Sequence, residues 1–153
     1  MKKNTDSKGF TLVEMVIVIA VMAILAAIAV PNFQTYMTQR RLSGAARQVM
    51  TDLMAAKMKA VSLNQNVKVS FGSNHIYQIW NDANGDGTVA DNEGDDIARD
   101  IHPDYHDVTL SIGEINYIMF YPRGTGSNRT VTATNSAGSK TITTSLAGRV
   151  KIN

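Results

Sequence analysis

The sequence contains no cysteine. That absence excludes a disulfide framework, a thiolate metal site and a cysteine nucleophile. An oxidising compartment stays compatible with it, provided packing alone holds the fold. An excess of one charge is missing too: 15 basic against 13 acidic residues leave a net +2. A dedicated nucleic-acid binder usually carries a strong basic surplus, so only a local basic patch fits this balance. Histidine is limited to His75, His102 and His106, and no nucleophile–base–acid constellation can be assembled around them. The chain is therefore expected not to be an enzyme. His102 and His106 stand four apart, a ligand spacing on a helix, but Pro103 interrupts the loop-like HPDYH and no third ligand is evident. They are expected to be ordinary loop residues.

What is present is concentrated at one end. Met15–Val30 is a run of 16 apolar residues, and Phe10–Val30 carries a single charge, Glu14. A helix rising about 1.5 Å per residue over that length just spans a bilayer core. Lys2, Lys3 and Lys8 precede it, which places the N-terminus in the cytoplasm and the C-terminal bulk on the far side. A cleaved secretory signal would end the run at a small-residue site, whereas here an amphipathic pattern follows. A plain anchor would leave Glu14 unexplained, since a lone carboxylate in lipid costs about 2–3 kcal/mol. A run apolar on all faces also does not suit the core helix of a soluble domain.

Beyond Asn32, the residues Leu42, Ala46, Val49, Leu53, Ala56 and Ala60 recur at steps of three and four, as one helix face does. The helix is expected to continue to about Leu63. Met37, Met50, Met54 and Met58 suit flexible core filling. Arg40, Arg41 and Arg47 suit a solvated or headgroup-facing surface. After Asn64 the period drops to two. Val67–Phe71, His75–Trp80, Val108–Ile112, Tyr117–Tyr121, Thr130–Thr134, Thr141–Ser145 and Arg149–Ile152 are expected as short antiparallel strands. The expected fold class is α+β: a long N-terminal helix, its first half membrane-spanning, packed on an antiparallel β-sheet domain.

The residues KGFTLVE, Lys8–Glu14, carry a resemblance. A short basic leader, Gly, Phe, a Glu four residues later and an apolar helix resemble the signal of type IV pilins and type II secretion pseudopilins. FYPRGTG (Phe120–Gly126), followed by paired strands and LAGRVKI (Leu146–Ile152), resembles the GspH/FimT/FimU group of minor pilins and pseudopilins. Major pilins of many bacteria carry a C-terminal disulfide loop, which this chain lacks. The resemblance implies a pilin-like fold and a leader, residues 1–9, removed by a prepilin peptidase between Gly9 and Phe10. It implies N-methylation at Phe10 and a pairing of Glu14 with the terminal amine of a neighbouring subunit. Residues 10–31 would form the transmembrane and filament-core helix, residues 32–63 its amphipathic continuation, and 64–153 the β domain. Pro31 sits where pilin helices often kink. The implied location is the inner membrane, single-pass, with a periplasmic domain, and later a pilus or pseudopilus. Implied partners are other major and minor (pseudo)pilins and the prepilin peptidase. The implied function is structural, in the tip or initiating complex of a type II secretion pseudopilus or type IV pilus.

Two further site readings stay open. The resemblance also implies an alternative function, a FimT-like DNA-binding minor pilin in natural transformation, since a basic G-R-x-R tail is tied to DNA contact in some such pilins. Here Gly148, Arg149 and Lys151 match it with Lys in place of the second Arg, and Arg123 and Arg129 could extend a patch. Against this, alternating outward charges on a terminal strand would look the same. Separately, DANGDGTVADNE (Asp82–Glu93) fits the calcium-loop pattern, with Asp82, Asn84, Asp86, Thr88 and Glu93 as ligand positions. Neither flank is an amphipathic helix, so an EF-hand is not expected. Either the Asn-Gly and Asp-Gly pairs simply make turns, or the loop holds calcium without helices. No other cofactor is implied.

Overall fold

The computed structural model describes residues 9–82 and 97–153. It divides into two compact units, one ending at Tyr36 and one spanning Met37–Asn153. Helix α1 runs Leu12–Leu63, 52 residues, with Pro31 inside it. Thr11 caps its start: the Thr11 hydroxyl accepts the N–H of Glu14 at 3.2 Å, and the Thr11 carbonyl accepts that of Met15. Glu14 thus holds the third helical position of a Thr-x-x-Glu capping pattern, where a carboxylate also suits the positive end of the helix dipole. Beside Pro31, the Asn32 amide donates to the Ile28 carbonyl (2.9 Å) and the Thr35 hydroxyl to that of Pro31 (3.1 Å). The helix stops at Asn64, whose φ of 54° is left-handed. Gln65 then donates its N–H back to the Ala60 carbonyl, the closure of a Schellman motif.

Among the described residues of the second unit, eight strands form two antiparallel sheets. The first, in the order β3-β2-β1-β5, contains β1 (Asn66–Phe71), β2 (Ile76–Asp82), β3 (Ile97–Asp100) and β5 (Tyr117–Phe120). The second, in the order β4-β6-β7-β8, contains β4 (Thr109–Ile112), β6 (Arg129–Asn135), β7 (Gly138–Thr144) and β8 (Val150–Ile152). All six helix positions picked out by their three-and-four spacing are buried, with Ala45 added. They share one core with Val67, Val69, Phe71, Tyr77, Ile79, Ile118 and Phe120 of the first sheet and Leu110, Val131, Ala133, Ile142 and Val150 of the second. A small-residue helix face lets both sheets approach it closely. Strand β3 was not expected: its four residues are all exposed, so no alternation of burial marks it.

Two expectations for side chains are corrected. Met54 and Met58 are exposed, not core; of the four methionines only Met50 packs against the core. They stand on helix faces turned away from the sheets. Arg41 is not a free surface cation. Its guanidinium grips both oxygens of Asp107, at 2.7 and 3.2 Å, and Asp107 also accepts from the Asn135 amide. The same amide donates to the Thr38 carbonyl. This knot ties the helix to the turn before β4 and to the β6–β7 hairpin.

The hydrogen bond from Arg41, the largest cause, holds the Asp107 carboxyl below its ordinary value against the opposing effect of partial burial. A carboxyl depressed in the folded state stabilises above its unfolded pKa of about 3.9 and loses that contribution as pH falls through the folded value. Asp107→Asn is therefore expected to cost about 1–2 kcal/mol at pH 7. The difference in thermal midpoint from wild type should narrow below about pH 4. A gap independent of pH from 7 down to 3 would show that the ion pair is not its source.

Candidate assembly surface

The first unit presents apolar side chains in every direction. Phe10, Leu12, Val13 and the large residues from Met15 to Val30 are all more than 45% exposed, Phe10 reaching 76%. The most apolar 18-residue window of α1 has a mean hydropathy of 2.9, and none of it is buried within the chain. A surface of that extent must be covered by lipid or by other apolar helices. Gly9 and Phe10 lie exposed ahead of the helix, and among the described residues no atom stands within 4 Å of a side chain added at Gly9. Phe10 lies one residue before the capping Thr11, beside the first helical turn, which carries Glu14.

A second construction joins the sheets. Between β5 and β6, Tyr121–Gly126 folds back so that Phe120 bridges Gly126. Gly126 donates its N–H to the Leu146 carbonyl (3.1 Å), and the Thr144 hydroxyl, 1% exposed, donates to the Ser127 carbonyl (2.7 Å). Gly124 (φ 76°) and Gly148 (φ 68°) meet back to back: a methyl on Gly148 would fall 2.0 Å from the Gly124 carbonyl oxygen. The two sequence motifs FYPRGTG and LAGRV are therefore the two halves of one backbone contact. The Lys57 side chain of α1 lies over both glycines. This lysine was missed from sequence, because nothing in the helix pattern links it to residues more than sixty positions away.

The candidate basic residues divide. Arg123, Arg149 and Lys151 are exposed. Arg123 and Arg149 adjoin the touching glycines, so two separate motifs bring them near Lys57. Arg129 faces differently. It is in register with Thr144, and Thr144 with Val150, both buried, while Lys151 pairs Thr143 on the opposite face. Arg129 thus does not join Lys151 in one patch. Of the calcium-loop positions only Asp82 is described; Asn84, Asp86, Thr88 and Glu93 lie outside the described residues. Asp82 ends β2 at 2% exposure, and neither carboxylate oxygen has a hydrogen-bond partner among the described residues.

A buried polar contact joins helix to sheet. The Tyr77 hydroxyl donates to Asp52 at 2.5 Å, and Arg99 of β3 approaches the same carboxylate at 3.8 Å. Burial first, then Asp52, pushes the Tyr77 phenol well above its ordinary value, so it stays a donor. This contact braces β2 against the helix.

A family model described as type II transport protein GspH matches residues 45–148, and a prokaryotic N-terminal methylation motif matches residues 4–30. Among solved structures, the fold is similar to the type IV minor pilin FimU of Pseudomonas aeruginosa: TM-score 0.57, 16% identity, 77% of this chain and 92% of that one. It is also similar to the minor pseudopilin EpsH of the Vibrio cholerae type 2 secretion system, with TM-score 0.54, 11% identity, 74% of this chain and 96% of that one. A 42-residue stretch is 52% identical to the type IV major pilin protein PilE1 of Neisseria gonorrhoeae, covering 28% of this chain and 26% of that protein. A 50-residue stretch is 44% identical to a fimbrial protein of Pseudomonas aeruginosa, covering 33% and 32%. The chain thus matches about a quarter to a third of the length of these curated relatives.

Proposed function

This chain belongs to the GspH family of type II transport proteins, and from that premise we propose that it is a non-enzymatic minor pilin or pseudopilin that works by assembly. The unpartnered apolar helix with Glu14 in its first turn carries this reading. It supports a subunit held in the inner membrane by residues 10–31, N-terminus cytoplasmic and β domain periplasmic. A prepilin peptidase would cut between Gly9 and Phe10 and methylate the new amine. The helix would then leave lipid for a bundle of like helices, in the tip or initiating complex of a pilus or pseudopilus. There the β domain would contact neighbouring minor subunits. The helix supplies association without specificity, and the folded unit supplies the contacts that distinguish this subunit from others.

Cleavage is the first step to test, because Gly9 precedes the bond and its lack of a side chain leaves the peptide open to an enzyme. Gly9→Val should leave the uncleaved, heavier chain in the membrane fraction. It should be missing from sheared fibres on immunoblots, while the β domain keeps its thermal midpoint. A cleaved Gly9→Val chain present in fibres at wild-type level would overturn this role for the motif.

A further inference from the structure

We propose that His75 and His102 form a binding site for a borderline divalent transition-metal ion of the zinc or copper type. The pair is not visible as a spacing, since 27 positions separate the two residues. The sheet creates it. Asp100 at the end of β3 is in register with Ile76 at the start of β2, and beyond that rung Ile101 donates its N–H to the His75 carbonyl at 3.0 Å. His75 and His102 follow directly on this anchored pair of backbones. Their ring centres lie 5.3 Å apart, with the planes inclined at 54°.

That separation suits chemistry as well as packing. A metal–nitrogen bond of about 2.0–2.1 Å plus roughly 1.1 Å from nitrogen to ring centre, closed at a tetrahedral angle, puts two ligating imidazoles about 5 Å apart. The neighbouring amide oxygen favours one tautomer. The Nδ1 of His75 is 2.7 Å from the Asn74 Oδ1. An amide oxygen only accepts, so Nδ1 carries the proton and Nε2 keeps the lone pair that a metal takes. A hydrogen bond to the far nitrogen is the usual outer support of a ligating histidine. The backbone beside His102 is held as well, its N–H donated to Asp100 Oδ1 at 2.8 Å. His75 is half-buried and His102 exposed, so solvent reaches the site.

Among the described residues no third His, Asp or Glu completes a metal cluster. The protein then supplies two nitrogens and water supplies the remaining positions, which favours imidazole-seeking ions over calcium or magnesium. His106, four residues from His102, stands outside the pair.

Copper(II) is the probe of choice, because nitrogen ligands split its electron paramagnetic resonance signal. The full chain in detergent micelles should bind one copper with a two-nitrogen signature, and zinc should displace it. His75→Ala and His102→Ala should each weaken binding by about tenfold or more. His102→Asn should behave like His102→Ala, and His106→Ala should match wild type. Unchanged melting curves for the variants exclude misfolding as the cause. Absence of the two-nitrogen signal at free copper up to about 0.1 mM, wild-type affinity in His75→Ala, or an equal loss in His106→Ala would each overturn the proposal.

Discussion

Glu14→Gln is expected to give a subunit that is processed and membrane-inserted but reduced at least tenfold in sheared fibres. Two physical roles are open to Glu14, and this variant separates them. One is local: Thr11 and Glu14 form a Thr-x-x-Glu pattern at the start of α1, with the Thr11 hydroxyl on the Glu14 N–H. A glutamine serves that pattern as well as a glutamate. The other is electrostatic: a carboxylate among apolar side chains costs about 2–3 kcal/mol until a cation meets it. A terminal amine on a neighbouring helix would meet it, and losing that gain corresponds to more than tenfold at 1.4 kcal/mol per decade. Quantitative immunoblots of fibre and membrane fractions make the comparison. Glutamine assembling like wild type would leave helix capping as the role of Glu14 and remove the charge pair.

Gly148→Ala is expected to destabilise the second unit by about 2–5 kcal/mol. A φ of 68° costs an L-residue about 1–2 kcal/mol in the left-handed region. The added methyl would also stand 2.0 Å from the Gly124 carbonyl oxygen, so backbone must shift, at about 1–3 kcal/mol for an overpacked contact. For a chain of this size the midpoint should fall by roughly 4 °C or more. Gly138→Ala is the internal comparison. Its φ of 133° is strained for alanine, but no atom lies within 4 Å of an added methyl. It should cost less than Gly148→Ala. Equal shifts in the two variants would show that conformational strain acts alone and that the Gly124–Gly148 contact is not what joins the sheets.

Much of the fold was legible because its signals are local. The apolar run at Met15–Val30, the three-and-four spacing from Leu42 to Ala60 and the alternation in VKVSF each report a neighbour a few residues away. The α+β architecture follows from them, and the GspH match and the FimU-like fold agree with it. Strand β3 was not legible, since an exposed edge strand has no alternation to show. Nor was the fate of Arg41: its partner Asp107 lies 66 residues away.

The candidate sites divide in the same way. Gly9, Phe10 and Glu14 sit in one contiguous motif, so sequence alone marked them. The basic candidates were marked as one group, but strand register turns Arg129 to the buried row and Lys151 to the other face. Sequence marks His102 and His106 only as loop residues four apart, whereas the sheet places His102 against His75.

The sequence by itself determined that the chain contains a long apolar helix, that its later turns carry a buried face, and that residues 4–30 match a prokaryotic N-terminal methylation motif. These follow from hydrophobic periodicity and residue chemistry, which act over one or two turns. Only the tertiary structure decided the division of eight strands into two sheets, the glycine contact that joins them, and the pairing of Arg41 with Asp107 and His75 with His102. Each joins residues dozens of positions apart, and strand register and chain reversal, which no local pattern encodes, set which of them meet.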